Sequence, residues 1–351
     1  MKTSQPFAAV TVESLMKSTR WIYGALLLLL FAWSTALGIP PRKDINPALL
    51  YWQAFALFPE LDDGESALLG AEKHDAVSVE EKELARRFDE AFLLIARART
   101  QKTPCDWGAD VADGPHAFTP DWKKVRTAAY AGILRARVAL AEGDQARVRD
   151  ELLGISVMSR HAASSANLVG TMVQVAVGLK VLDFIAAHFD ELTPQTRSEI
   201  SAGLQSAPPR VTVADAINNE RTGFQEWLLA QIETARAQET NDAKVLDQFR
   251  AVVAGVFENE PVLADRIIHA SGGTSAGVVR YIKAVEPFYK RAEVIARANA
   301  KDVRRETSEF EAEINNTRNL FARTVIPNVG KARTRELEFE SRLSKLPNAA
   351  P

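Results

Sequence analysis

Hydrophobic positions recur along this chain with the period of amphipathic helices, and strand signals do not recur. The most apolar stretch covers residues 164–192, where apolar side chains alternate between spacings of four and three. The first face of this predicted helix carries Leu168, Met172, Val175, Leu179, Leu182, Ala186 and Phe189. A second face carries Val173, Val177, Val181 and Phe184. We predict a central helix that is contacted from two sides; a membrane span is the alternative, which Lys180 and Asp183 disfavour.

Helix-start signals divide the rest of the chain into helices. A residue that caps the free amides of a first turn precedes an apolar run at several positions. These positions are Asn46-Pro47, Ser78 with Glu81, Thr119-Pro120, Thr193-Pro194 and Thr212 with Asp215. The Ser78 helix is expected to continue to about Thr100, and residues 275–316 are expected to be helical with a break at Pro287. The pattern predicts an all-α fold, a helical bundle or an irregular hairpin array of about ten to twelve helices.

Two of these helices are joined by a very short turn. Residues 119–142 and residues 144–161 flank Gly143, so the two helices are expected to lie antiparallel with a shared apolar interface. The clearest internal break is the Ala-Pro-Pro-Arg-Val segment at residues 207–211. We expect an N-terminal segment of residues 1–38 and a helical domain of residues 39–351, which is either one elongated domain or two lobes divided near residues 207–211.

The helical pair resembles a tetratricopeptide-type hairpin. The small-residue, turn and packing positions of such a hairpin match Ala136, Ala139, Gly143, Asp144, Val148, Leu152 and Ile155. No 34-residue period recurs, so a regular solenoid is not predicted. The NPALLYWQAFALFPELDD, CDWG and DELTP segments are similar to a group of uncharacterised exported helical proteins of bacteria. The resemblance implies an exported helical protein and brings no established activity.

Composition and charge narrow the function classes. The chain of 351 residues is 46% hydrophobic and 25% charged, as in ordinary globular proteins. Its 43 basic and 45 acidic residues give a formal charge of -2, so we expect no nucleic-acid partner. Cys105 is the single cysteine, which excludes an intrachain disulfide or a CxxC metal site. We expect no cofactor.

An uncharged apolar stretch at residues 21–37 follows Lys17 and Arg20, and its end, Ala36-Leu37-Gly38, carries small residues at positions 36 and 38. This order is typical of a secretory signal peptide, and an uncleaved membrane anchor is the alternative. Met16 offers an alternative start. In both interpretations the body of the protein is exported, and it is periplasmic, secreted or anchored to the membrane by residues 21–37.

The sharpest catalytic motif is Gly273-Thr274-Ser275-Ala276-Gly277, which also resembles the nucleophile turn of patatin-like lipases. A hydrolase needs a strand before this turn and a histidine or Asp-Gly after it. All five histidines lie upstream, and the preceding DRIIHAS segment is a poor strand. A glycine-rich connector between helices is therefore the favoured interpretation.

Two further groups of residues are weak candidates for a site. Residues 103–119 carry possible metal ligands at Asp106, Asp110, Asp113 and His116, but their spacing does not match a calcium loop. Trp52, Phe55 and Trp107 are the candidates for binding, with core packing as the favoured interpretation. We expect a non-enzymatic binding or scaffolding protein of the bacterial cell envelope, whose partner is an unknown envelope protein or peptide. The alternative is a serine hydrolase that uses Ser275.

Overall fold

The structure is a computed structural model that describes residues 44–71, 76–257, 260 and 262–346. Every regular element in these residues is helical and none is a strand, which confirms the all-α prediction. The chain divides into Met1–Ile45 and Asn46–Pro351, and the fold described below is that of the second unit. The predicted signal peptide or anchor, residues 1–38, lies outside the described residues.

The first part of this unit, the hairpin region (residues 46–206), contains several short helices and three long ones. Its α-helices are α1 (Pro47–Ala56), α2 (Asp63–Gly70), α3 (Val79–Arg86), α4 (Asp89–Arg99), α5 (Trp122–Ala141), α6 (Gln145–Ala162), α7 (Leu168–Ala187) and α8 (Pro194–Ser206). Two 3-10 segments, Val111–His116 and Ala163–Ser165, precede α5 and α7.

The second part, the C-terminal region (residues 213–343), is built from shorter helices around one apolar core. Its α-helices are α9 (Val213–Glu220), α10 (Trp227–Gln238), α11 (Asp242–Val256), α12 (Leu263–Ala270), α13 (Ser275–Lys283), α14 (Glu286–Ala296), α15 (Val303–Asn316), α16 (Leu320–Val325) and α17 (Val329–Leu343). A π-helical turn, Arg221–Glu226, joins α9 directly to α10.

Four of the five predicted helix starts are confirmed. Asn46, Ser78, Thr193 and Thr212 each accept a hydrogen bond from an amide in the first turn of α1, α3, α8 and α9. The predicted start at Thr119 is wrong. Asp121 caps α5 by accepting from Lys124 N, because its carboxylate directly precedes the first helical residue while Pro120 lies outside the helix.

The described residues contain more helices than the ten to twelve expected. The predicted helix from Ser78 to Thr100 is two helices, α3 and α4, with a break at Arg87 and Phe88. The charged segment from Ser275 to Asn316 is three helices, and Pro287 lies in the first turn of α14 rather than at the break itself. Proline, which has no amide hydrogen, is tolerated in the first turn of a helix, so Pro287 marks the start of α14 and does not interrupt a helix.

Helices α5 and α6 form the predicted hairpin. Gly143 adopts φ +77° in the turn, a conformation that favours glycine. A Cβ on Gly132 of α5 would lie 2.4 Å from Ile155 Cγ2 of α6, so the missing side chain allows the close approach of the two helices. The hairpin therefore depends on glycine both in its turn and in its interface.

Helix α7 is central, as its two apolar faces predict. It contacts α5, α6, α9 and α17, and thus connects the hairpin region with the C-terminal region. Among the described helices it is the one long and apolar enough to cross a membrane, and 56% of its most apolar window is buried. The prediction for Ala186 and Phe189 is wrong, because both are exposed and Phe189 follows the end of the helix. The guanidinium of Arg197 lies over the Phe189 ring.

The connecting segment at residues 207–211 is held by polar contacts to helices α6 and α7 of the hairpin region. Arg160 donates to the carbonyl oxygens of Leu204 and Pro208 at 2.8 and 2.9 Å. Gln174 of α7 both donates to Val211 O and accepts from Val211 N. These contacts replace the hydrogen bonds that a non-helical segment lacks internally.

Candidate functional site

The exposed apolar side chains of α1 form part of a larger apolar surface. Leu49 and Trp52 lie three residues apart on α1 and are 55% and 38% exposed. The Trp52 ring lies 5.5 Å from the ring of Phe118, which is 41% exposed, and Val169 at the start of α7 is 57% exposed. Contiguous exposed apolar surface of this kind is typical of binding sites.

This surface continues into a cavity of about 270 Å³. Phe118, Trp122, Val169 and Phe224 supply apolar walls, and Ser165, Asn167 and Asn219 supply polar groups. We call Trp52, Phe118, Trp122, Val169 and Phe224 the aromatic groove. Among the described lining residues of the cavity, Glu220 is the titratable one, so the groove offers aromatic faces and amides rather than an acid–base pair.

The wall that carries Phe118 is the segment of residues 103–119, which is tied to the hairpin region. Asn46 donates from Nδ2 to Asp106 O at 2.6 Å, and its Oδ1 accepts from Asp106 N at 3.0 Å. Trp107 donates from Nε1 to His161 O at 2.7 Å, near the end of α6. Hydrogen bonds therefore join the cap of α1, the loop at residues 103–119 and the end of α6 beneath the groove.

The same segment is also tied to the C-terminal region. Gly114 has φ +63°, and a Cβ there would lie 2.4 Å from Trp227 Cγ. The ring of His116 packs edge-on against Trp227 at 5.8 Å. Only glycine fits this backbone conformation and contact, so the loop is held in one position against α10.

The floor of the groove is formed where α5 meets α7. A Cβ on Gly170 would lie 2.6 Å from Trp122 Cη2, so the indole packs directly on the backbone of α7. Asn167 caps α7 by accepting from Gly170 N at 2.7 Å, and Glu220 accepts from Leu168 N at 3.1 Å. The free amides of the first turn of α7 are thereby partly satisfied within the protein.

The far wall is the π-helical turn Arg221–Glu226. Gly223 and Phe224 line the cavity, and the Phe224 ring stacks on Phe321 at 5.8 Å. π-Helical turns are rare and often occur at functional sites. Here the turn connects the wall of the groove to the core of the C-terminal region.

The three sequence candidates for binding lie in different environments. Trp52 is partly exposed in the aromatic groove, whereas Phe55 and Trp107 are 4% and 7% exposed and pack beneath it. Trp107 stacks between Tyr51 and Phe55 at 5.9 and 6.5 Å. Phe55 and Trp107 therefore position Trp52 and the loop and do not face a ligand.

A buried histidine completes this aromatic cluster. Tyr51 Oη lies 2.9 Å from His161 Nδ1. Burial lowers the pKa of His161 to about 4 and raises the pKa of the Tyr51 phenol well above its usual value. The histidine is neutral at pH 7 and acts as a hydrogen-bond partner inside the core.

The four candidate metal ligands do not converge in the structure. Asp106 accepts from Gly108 N and Asp110 accepts from Ala112 N, each at 2.8 Å, while the His116 ring lies on Trp227. Asp113 is exposed. Within the described part of the chain, no group of three or more histidine, cysteine or acidic side chains is arranged to hold a metal ion. These residues shape the loop.

Ser275 does not stand on a strand-to-helix turn. The DRIIHAS segment belongs largely to helix α12, and Gly272 and Gly273 adopt positive φ in the connection to α13. Ser275 is 3% exposed and donates from Oγ to Asp242 of α11, which also accepts from Ser275 N. The motif is a helix-to-helix connector whose serine hydroxyl is bonded to a carboxylate rather than to an imidazole.

A larger cavity, of about 370 Å³, lies between the end of α2 and helices α5 and α7. Its ionic groups bind one another or their neighbours. Arg137 pairs with Glu81 at 2.9 Å, Asp183 pairs with Arg342 at 2.5 Å, and His188 pairs with Glu191 at 2.7 Å. We favour the smaller aromatic groove as the site because exposed aromatic rings extend it onto the surface.

Sequence reasoning did not identify Trp122, Val169 or Phe224 as site residues. Their clustering depends on contacts between segments more than 45 residues apart in sequence, and no local pattern encodes it. A signal did exist in Gly114 and Gly170, each of which accepts an indole ring against the backbone. No family model, curated protein or solved structure matches the chain, so the groove itself is the basis for inferring its function.

Proposed function

We propose that this chain is a non-enzymatic binding protein of the bacterial cell envelope, and that the aromatic groove binds an apolar segment of a protein or peptide. The observation that carries the proposal is the continuity of Trp52 and Phe118 with the cavity behind them. Aromatic side chains in pockets contribute much of the binding energy at protein interfaces. Asn167 and Asn219 each donate one amide N–H to Ser165, and the second N–H of each can bind a backbone carbonyl of an extended ligand.

Rigid walls favour binding in this groove. Its loop is anchored to α1, α6 and α10, so a ligand does not have to order it. A preorganised site loses less conformational entropy on binding than a mobile one. The proposed architecture is an irregular array of helical hairpins related to the tetratricopeptide type, in which α5 and α6 form one hairpin and the groove lies at its edge.

Panning a displayed library of random peptides on the full chain in non-ionic detergent tests the proposal. We expect enrichment of peptides with aromatic or aliphatic side chains, and loss of their binding in Trp52→Ser and Phe118→Ser. Phe189→Ser is the matched control, because Phe189 is 44% exposed and lies beyond the opposite end of α7, about 30 Å from Val169. Failure to enrich such peptides, or an equal loss in the control, would contradict the proposal.

The proposed location is outside the cytoplasmic membrane, in the periplasm, secreted, or anchored by residues 21–37. It rests on the charged, apolar and small-residue order of the N-terminal sequence. N-terminal sequencing of the chain from cell fractions separates the alternatives. A start near Ile39 indicates cleavage, an intact N-terminus in the membrane fraction indicates an anchor, and an intact chain in the cytosol contradicts export.

A further inference from the structure

A second surface feature lies on the C-terminal region, away from the aromatic groove. Arg266 and His269 lie on the exposed face of α12, Arg318 directly precedes the cap residue of α16, and Arg323 lies within α16. All four line one open cavity of about 470 Å³, together with Tyr281. We call Arg266, Arg318 and Arg323 the arginine cluster.

The positive charge of this cluster is not compensated. In the described residues, none of its three guanidinium groups has a carboxylate within 4.0 Å, whereas Arg250 and Arg333 each pair with two carboxylates. Asp265 also lines the cavity, but it accepts from Arg250 Nε at 2.7 Å. The cavity is therefore locally cationic on a chain whose formal charge is -2.

The backbone that carries two of these arginines is held in place. The Tyr281 hydroxyl accepts from Leu320 N at 2.7 Å and donates to Arg318 O at 3.3 Å. Asn319 donates from Nδ2 to Tyr281 O at 2.9 Å, and its Oδ1 caps α16 by accepting from Ala322 N. Arg318 and Arg323 thus extend from a fixed turn and helix and not from a free loop.

We propose that the arginine cluster is a binding site for the phosphate group of an anionic ligand. A guanidinium group presents paired N–H donors that match phosphate oxygens. A carboxylate would neutralise one of the three cations, whereas a phosphate monoester carries about -1.5 to -2 charges and three acceptor oxygens. The imidazole of His269 offers a further donor at the same cavity. The phosphate belongs either to a soluble ester or to a lipid headgroup.

The test measures binding to the full chain in non-ionic detergent by isothermal titration calorimetry. One arm uses inorganic phosphate and glycerol 3-phosphate, and the other uses micelles that contain phosphatidic acid, with phosphatidylcholine as the reference lipid. We expect binding in at least one arm and a dissociation constant about tenfold weaker in Arg266→Gln and in Arg318→Gln. The arm that shows this dependence identifies the source of the phosphate.

Arg236→Gln is the matched control, because Arg236 is exposed on α10 and has no described carboxylate partner but does not line the cavity. This variant is expected to bind as the unmodified chain does. Absence of binding in both arms overturns the proposal. Equal weakening of binding by Arg236→Gln also overturns the proposal, because the ligand would then respond to the net charge of the chain and not to this cavity. The exposed positions of all three variants leave the fold intact.

Discussion

The interiors of the hairpin region and of the C-terminal region differ in the number of charged side chains that they bury. In the hairpin region Glu81, Arg135, Arg137, Glu151 and Arg160 are all less than 9% exposed. In the described residues of the C-terminal region, Glu336 is the one charged side chain buried to this extent, and the core is otherwise almost entirely aliphatic and aromatic.

The difference lies in where the helices place their charged side chains. The long helices α5 and α6 place Arg135 and Arg137 beside Asp89, Glu151 and the first turn of α3, so the cations enter the interior with partners. In the described C-terminal region the charged side chains other than Glu336 remain at least partly exposed, and the packed faces of the helices are apolar. The hairpin region is thus specified largely by matched charges and the C-terminal region by shape.

The largest effect is expected from Arg137→Met in the hairpin region. This change removes the guanidinium that lies 2.9 Å from the carboxylate of Glu81, which is 1% exposed. Breaking one side of such a pair costs about 3–5 kcal/mol of unfolding free energy. Urea unfolding measures it, and the double variant Glu81→Gln with Arg137→Met should recover more than half of the loss. A loss below about 1 kcal/mol, as for an exposed pair, would contradict the stabilising role of this buried pair.

The next effect concerns the aliphatic core of the C-terminal region. Ile295 of α14 is fully buried, so Ile295→Ala should lower the unfolding free energy by about 3 kcal/mol through lost burial and a residual cavity. The neighbouring Val294 is 54% exposed, and Val294→Ala should change stability by no more than about 0.5 kcal/mol. Equal effects of the two substitutions would contradict the assigned core.

A pH effect is expected to come mainly from the hairpin region. His161 has a folded pKa of about 4, below its unfolded value, so the unfolded chain binds the proton more readily as the pH falls. The stability from neutral His161 is present above pH 6.5 and is lost as the pH falls towards 4. From pH 7 to pH 5 the loss amounts to about 2 kcal/mol.

Urea unfolding at the two pH values measures this loss, and His161→Gln should reduce it. The pH dependence should remain as in the unmodified chain when Ile295 is changed to Ala. An unchanged pH dependence in His161→Gln would assign the acid sensitivity to other groups.

A small effect is expected for an exposed ion pair of the C-terminal region. Arg250 bonds Asp247 and Asp265, but its side chain is 41% exposed and both carboxylates are more exposed still. Exposed pairs contribute less than about 1 kcal/mol, so Arg250→Met should barely change the urea midpoint. A cost similar to that of Arg137→Met would remove the contrast between the two regions.

The Gly273-Thr274-Ser275-Ala276-Gly277 motif of the C-terminal region is expected to show no hydrolase reactivity. The Ser275 hydroxyl is buried and bonded to Asp242, so a fluorophosphonate probe should not label the folded chain. Labelling that disappears in Ser275→Ala would instead support the serine hydrolase alternative and would make this connector a functional site.

The sequence predicted those parts of the fold that depend on neighbouring residues. Caps such as Ser78 and Thr212 and the Gly143 turn satisfy backbone groups within a few residues, and they are where the sequence placed them. The break at Arg87 and Phe88 was not predicted because the apolar spacing continues across it. Phe88, at the break, is fully buried in the core.

The candidate site was less predictable. Trp52 stood out as an aromatic residue, but its exposure depends on Phe118, Trp107 and α1 meeting in space. The acidic residues of the same loop suggested a metal, whereas the structure uses Asp106 and Asp110 to accept from backbone amides in turns. Both errors have the same cause. An aromatic or acidic residue can make several kinds of contact, and only the tertiary structure determines which contact forms.

The function proposed for this chain requires an apolar peptide to bind in the aromatic groove. Hydrogen–deuterium exchange of the full chain with the strongest peptide from the library tests it most directly. We expect added protection at residues 114–122, 165–170 and 219–226, which surround the groove, and none at residues 189–197. Protection confined to another surface, or a bound peptide that protects no part of these three segments, would contradict it.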